Sequence, residues 1–204
     1  MTPMIPDLEG YFRGFVPHRD ELLLELEKEA EQEGIPIVGP VVGELLFLLA
    51  RTTGARRILE LGTATGYSAI YLARGCQPRE GRVLTLELDP RTAARARANL
   101  ARAGLENRVE VREGEALKLL AGMSDHVDMI FMDIDKESYL PALDYCQRLL
   151  RVGGLLLTDN VGFAGADPFN REISRRPQWR VVHLLALLPR HSPEKDGLSL
   201  AVRV

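Results

Sequence analysis

The chain has 204 residues, 46% hydrophobic and 27% charged, a balance that suits one sizeable folded core and excludes a disordered segment. A net charge of −3 with both signs interspersed gives no support to a general polyanion-binding surface. Cys76 and Cys146, the only cysteines, are too few and too isolated for a disulfide framework or a zinc site.

The opening stretch, MTPMIPDLEGYFRGF, lacks the basic region and apolar run of a signal peptide. The most apolar window, IPIVGPVVGELLFLLA, is broken by Pro36, Gly39, Pro40, Gly43 and Glu44, so no membrane span is expected and a cytoplasmic location is. Residues 19–33 set Leu22, Leu23, Leu24 and Leu26 among acids and end at Gly34, which predicts a helix with a glycine stop. Residues 39–52 predict a second helix, opened by Gly39-Pro40.

From residue 56 strands and helices alternate. RRILEL is a short apolar strand, GTATGYSAIYLARG a glycine turn entering a helix, and RVLTLEL the next strand. DPRTAARARANLARAG is a helix with Asp89 as N-cap, Pro90 in the first turn and Gly104 after the end. Strand RVEVREG, helix 115–122, strand VDMIFMD, helix 138–151, Gly153-Gly154 and strand LLLTDN follow. This rhythm predicts an α/β fold with a parallel sheet and helices on both faces. The end differs: WRVVHLLAL and GLSLAVRV are joined by a loop, 189–197, with no helix, which predicts an antiparallel pair.

Five strand ends carry chemistry-bearing residues. In LELGTATGYS, Gly62 and Gly66 let backbone approach a ligand at a helix N-terminus. The spacing is G-x-x-x-G preceded by Glu60, not the G-x-G-x-x-G of dinucleotide sites, so it favours a ligand with an amino group and a carboxylate over NAD. Glu87 ends the next strand about 25 residues past Gly62, where a ribose-binding acid belongs. In REGEA, Gly114 allows a turn beside a flat base with the Ala116 N–H available to it. Asp133 closes the fourth strand, and Asp159-Asn160 close the fifth. Ligands of open parallel sheets bind outside these carboxyl ends, so the three converge as an all-oxygen set suited to a hard cation such as Mg²⁺. Taken singly, each is an ordinary cap or turn residue. Lys136 opens a helix, an unfavourable place for a cation, and a neighbouring divalent ion would disfavour its charged form, which suits a general base. Asp135 reads equally as a support to that cluster or as a helix cap.

The ordered set LELGTATGYSAIYLA, TLELD, AGLENRVEVREGEAL, IFMDIDKESY, LLRVGGLLLTDNVGFAG and DGLSLAV resembles the cation-dependent, S-adenosylmethionine-dependent O-methyltransferases, the class of catechol and caffeoyl-CoA O-methyltransferases, in a compact bacterial-type form. The D-x-D-K-x-x-Y and G-G-x-x-x-x-D-N pieces are its most specific part. The resemblance implies a Rossmann-like class I methyltransferase sheet of seven strands with the last inserted antiparallel, in one domain spanning 1–204. Within it, 1–52 would be an N-terminal helical segment and 53–204 the cofactor- and metal-binding core. It further implies that Asp133, Asp159 and Asn160 hold the cation and that Lys136 takes the proton of the acceptor hydroxyl. Glu60, Gly62, Ser68, Glu87, Ala116 and Asp133 would line the cofactor site, with Val38 closing over the methionine end. Two departures, Ile134 between the aspartates and a short ADPFNREI in place of a longer substrate-lining loop, bear on which acceptor is taken.

The expected activity is methyl transfer from S-adenosylmethionine to a hydroxyl of a small aromatic acceptor. A tRNA hydroxyuridine methyltransferase is the second reading, since Arg171, Arg175, Arg176, Arg180 and Arg190 could face phosphates. A non-catalytic cofactor-binding protein is the third, and intact Lys136 and cation residues speak against it. Tyr11, Phe12, Phe15 and Leu22–Leu24 lie outside the alternating core and need cover. With the resemblance, they predict a homodimer.

Overall fold

The computed structural model describes residues 2–204. Three helices come first: α1 (Leu8–Arg13), α2 (Glu21–Glu33) and α3 (Gly39–Thr52). Asp20 caps α2 by accepting from the Leu23 N–H at 3.0 Å, and Gly34 ends it in the left-handed region at φ 67°. The alternation follows as β1 (Arg57–Leu61), α4 (Tyr67–Gly75), β2 (Arg82–Glu87), α5 (Pro90–Arg102), β3 (Val109–Glu113), α6 (Ala116–Ala121) and β4 (Val127–Met132). It continues through α7 (Tyr139–Leu149), β5 (Leu150–Thr158), α8 (Asp167–Arg175), β6 (Trp179–Leu187) and β7 (Lys195–Arg203). No described helix is long and apolar enough to cross a membrane.

The seven strands form one sheet in the order β3-β2-β1-β4-β5-β7-β6. The first five pair in parallel, and β7 runs antiparallel to both β5 and β6. This is the expected seven-stranded Rossmann-like sheet with its last strand reversed. Successive strand residues point to opposite faces, and the core divides accordingly. Ile58, Phe131 and Leu157 pack on one face with Val42, Leu46, Ile70 and Leu100. Leu59, Ile130 and Leu156 pack on the other with Tyr139, Leu143, Phe169 and Ile173.

Three elements differ from the sequence expectations. Helix 138–151 ends two residues early, at Leu149, because Leu150 already pairs with Val127 as the first residue of β5. The next pair is Met129 with Leu155, so 151–154 loop out of the ladder, with Gly153 at φ 77°. ADPFNREI is not a loop: it forms most of α8, which buries Phe169 and Ile173 one turn apart. Finally, α1 forms within the N-terminal stretch and buries none of its own residues. It is tied to the β6–β7 connection by ion pairs, Arg13–Glu194 at 2.5 Å and Lys195–Glu9 at 2.6 Å.

Candidate active site

The strand order reverses between β1 and β4, where an open α/β sheet leaves a crevice at its carboxyl edge. The ladder carries on for one residue past the strand ends: Gly62 N–H bonds Leu86 O, Asp133 N–H bonds Leu61 O, and Asp159 N–H bonds Met132 O. Those bonds set Gly62, Asp133 and Asp159 side by side. Gly62 sits at φ 96°, and a Cβ there would lie 2.0 Å from the Asp133 carbonyl oxygen, so only glycine lets the two strand ends approach this closely.

A cavity of about 320 Å³ opens at this edge. Val38, Gly62, Ser68, Glu87, Asp133, Lys136, Asp159 and Asn160, all expected site residues, line it together with Ile134 and Asp135. Glu60 and Ala116 are not among the lining residues. Ala116 opens α6, so its N–H has no acceptor within the helix. Glu60 is fully buried on β1, and neither carboxylate oxygen has a hydrogen-bond partner among the described residues. Burial pushes this carboxyl up to about 7; the Ser68 and Thr85 hydroxyls favour the ionised form, and the charges of Asp133 and Glu87 oppose it. A buried acid with two orphaned oxygens beside a ligand-sized cavity fits a cationic group, such as the ammonium of an amino-acid moiety. Glu87 holds the turn between β1 and α4 by accepting from the Ala64 N–H at 2.9 Å, and accepts from its own Asp89 N–H at 3.0 Å.

The cluster on β4 and β5 is built from charge. Lys136 Nζ donates to Asp133 Oδ1 at 2.9 Å and to the Ile134 carbonyl at 3.0 Å. Burial raises the Asp133 carboxyl above its usual range; the Lys136 charge opposes this and the Asp159 charge adds to it. Asp159 is fully buried. Its Oδ1 accepts from the Asn160 N–H at 2.9 Å, and its Oδ2 faces His191 Nε2 at 2.8 Å. Asn160 is held at φ 51°, in the left-handed region that asparagine tolerates better than most non-glycine residues. Its amide nitrogen donates to Asp196 Oδ2 at 2.7 Å, and among the described residues no donor meets its Oδ1. Two carboxylates and an unclaimed amide oxygen suit a hard cation by donor type. Among the described residues, however, no three His, Cys, Asp or Glu side chains already surround a common point. Lys136 and His191 instead face the two carboxylates.

Asp135 is exposed and makes no side-chain cap bond, so the helix-cap reading does not hold. The Tyr139 hydroxyl donates to the Asp159 carbonyl at 2.9 Å and is fully buried, which removes it as a proton acceptor. His191 and Asp196 were not singled out by the sequence. Asp196 lies inside DGLSLAV, where the D-G pair was a usable signal; His191 is a lone histidine in a connection, and only the fold brings it to Asp159. Burial acts to lower the His191 pKa, but the hydrogen bond and charge of Asp159, with the Pro193 carbonyl, leave it raised.

A reversed strand beside β5, with a cavity at the β1/β4 crossover, is the architecture of the class I methyltransferases. Residues 16–188 match the profile of the O-methyltransferase family. A catechol O-methyltransferase of Niastella koreensis is 39% identical over 160 residues, 76% of this chain and 72% of that protein. Among solved structures, an O-methyltransferase from Bacillus cereus in complex with S-adenosylhomocysteine superposes with a TM-score of 0.86 at 33% identity, covering 97% of each chain. TomG of Streptomyces achromogenes, an O-methyltransferase of tomaymycin synthesis in complex with S-adenosylmethionine, gives 0.85 at 29% identity, covering 97% of this chain and 96% of that one. The chain belongs to the O-methyltransferase family. It is an enzyme that uses S-adenosylmethionine as methyl donor.

Proposed function

We propose that the acceptor is a small aromatic molecule with two adjacent oxygens, and that a divalent cation, best matched by Mg²⁺, assists the transfer. The observation that carries this reading is the meeting of Lys136, Asp133, Asp159 and Asn160 at one rim of the cavity. The catechol O-methyltransferase name of the Niastella relative supports it. Asp133, Asp159 and Asn160 would hold the cation, which when bound would chelate both acceptor oxygens and make the hydroxyl more acidic. Lys136 Nζ, steadied by Asp133 and Ile134, accepts the hydroxyl proton in its neutral form. The acceptor oxygen then bonds the methyl carbon as the carbon–sulfur bond breaks, and S-adenosylhomocysteine leaves. Glu87 takes the ribose hydroxyls, Glu60 the cationic end of the methionine moiety, and the Ala116 N–H the adenine edge. Gly62, Ser68 and Val38 wall the donor in, so that much of the acceleration comes from placement.

The tRNA reading needs free arginines. Arg171 pairs with Asp167 at 2.7 Å, Arg176 with Asp144 at 2.5 Å and Arg190 with Glu27 at 3.8 Å, so of the five only Arg175 and Arg180 stand without an ion pair among the described residues. The test is a methyl-transfer screen over catechols, hydroxycinnamoyl esters and bulk tRNA, with Mg²⁺ and with excess chelator. Turnover of a free catechol that chelator abolishes is the expected result. Undiminished turnover in chelator would refute the cation, and activity confined to tRNA would refute the acceptor.

A further inference from the structure

The amino edge of the sheet, where β1, β2, β3 and β4 begin, carries a second and larger cavity of about 1030 Å³. Arg56, Arg57, Arg79, Arg82, Arg108 and Arg112 line it. Its acids are fewer. Glu80 pairs with Arg56 at 3.3 Å, and Glu110 with Arg112 at 2.6 Å. Glu106 and Asp125 also line it, and neither forms an ion pair among the described residues. The nearby Asp128 is already engaged, by the Arg56 and Arg57 N–H groups at 2.8 and 2.9 Å and by Arg151 at 2.6 Å. Arg57, Arg79, Arg82 and Arg108 are left without an acid partner among the described residues, so the lining is positive on balance.

Three of these arginines stand in a row. Arg57 is registered with Arg82 across the β1–β2 ladder. Val83 is registered with Val109 and its N–H bonds the Arg108 carbonyl at 2.9 Å, so Arg108 flanks Arg82 on the other side. Arg108 Nη2 donates to the Gln77 carbonyl at 2.8 Å, a bond that fixes the side chain and leaves its charge uncompensated. Neighbouring strands lie about 4.8 Å apart, so the row spans about 10 Å. Like charges side by side on adjacent strands repel unless an anion lies among them. A guanidinium fork takes phosphoryl oxygens two at a time. One phosphoryl group is too short to reach along such a row, and a chain of two or three is not. Half-buried Leu84 and Val127 add an apolar part to the lining.

We infer that this cavity binds a polyphosphate group, free or carried by a nucleotide, at a site separate from methyl transfer. The five residues of β1 and six of β2 run from it to the catalytic edge, which sets the two sites about 15–20 Å apart.

The test is calorimetric titration of inorganic tripolyphosphate into the full chain at low salt, without divalent metal and with saturating S-adenosylhomocysteine, which fills the donor cavity. Binding at one site per chain is expected. The double variant Arg57→Gln, Arg82→Gln should weaken it by about tenfold or more. The control Arg171→Gln, Arg175→Gln removes the same charge from α8 and should change it little. Both variants should keep wild-type affinity for S-adenosylhomocysteine, which shows that they are folded. In amide spectra of the wild type, tripolyphosphate should shift Gly81, Arg82 and Val109 and leave Gly62 and Asp133 in place. Uridine triphosphate binding more tightly than tripolyphosphate assigns the site to a nucleotide, and equal affinity assigns it to the phosphate chain alone. Equal weakening in both double variants, shifts centred on Gly62 and Asp133, or no binding at low salt would overturn the site. So would binding of an RNA oligomer that tripolyphosphate does not displace.

Discussion

Replacing Glu60 by glutamine isolates the charge of one buried group. Its carboxyl is pushed from 4.5 to about 7 by full burial, which outweighs the opposing Ser68 and Thr85 hydroxyls. A native acid raised in this way binds protons that the unfolded chain has already released. Stability is therefore lost as pH rises through that window and regained as pH falls below it. Linkage over this shift amounts to about 2–3 kcal/mol between about pH 5 and about pH 8. For a chain of this length, about 2–4 °C in Tm accompanies each kcal/mol, so the variant should gain about 5–10 °C on wild type over that pH span. Glutamine buries its own unpaired amide and loses stability at every pH, which is why the change in the Tm difference, not its value, is the readout. Thermal unfolding of the ligand-free proteins across this range measures it. S-adenosylhomocysteine should then stabilise wild type more at the alkaline end than at the acid end, and the variant almost equally at both. A Tm difference that stays constant with pH would mean that Glu60 is already ionised or already paired in the free enzyme, and the argument for an ammonium site would fall.

Three further outcomes are expected. Lys136→Ala should lower kcat by about 10²–10⁴, with S-adenosylhomocysteine affinity nearly unchanged and partial recovery at higher pH, where the acceptor ionises unaided; wild-type turnover across neutral pH would make Lys136 a bystander. Glu87→Ala should weaken S-adenosylhomocysteine about tenfold or more in calorimetry, part of it through the Ala64 turn that Glu87 holds; unchanged affinity would remove the acid from the ribose site. The protein should sediment as a homodimer, because Phe12 at 56% and Phe15 at 62% exposure leave an aromatic patch uncovered on the protomer, and a monomer at micromolar concentration would contradict this.

The sheet was legible because its signals are local. Ile58, Leu59, Ile130 and Phe131 are apolar runs closed by glycine or charge, and the missing helix between β6 and β7 announced the reversed strand. Asp133, Asp159 and Asn160 could be gathered in advance because parallel topology sends every strand end to one edge. Boundaries were less legible: Leu150 is apolar in either state, and pairing with Val127, a partner 23 residues away, made it strand. The α8 helix was written in Phe169 and Ile173 but overlooked beneath the expectation of a loop. His191 had no local signal at all. Its place beside Asp159 is set by the turn at 188–194 and by Gly39, contacts that exist only once the chain has closed.

The manner in which α1 is attached sets it apart from the rest of the molecule. No residue of α1 is buried, and exposed charges, Glu9 with Lys195 and Arg13 with Glu194, fasten it to the turn that carries His191. Dissolved ions screen such bonds, whereas they leave an apolar core untouched. The fastening therefore answers to ionic strength and the sheet does not. In concentrated salt the first helix can come away from the β6–β7 connection while both faces of the sheet remain packed. Where the first helix lies would then be set by the medium as much as by the fold.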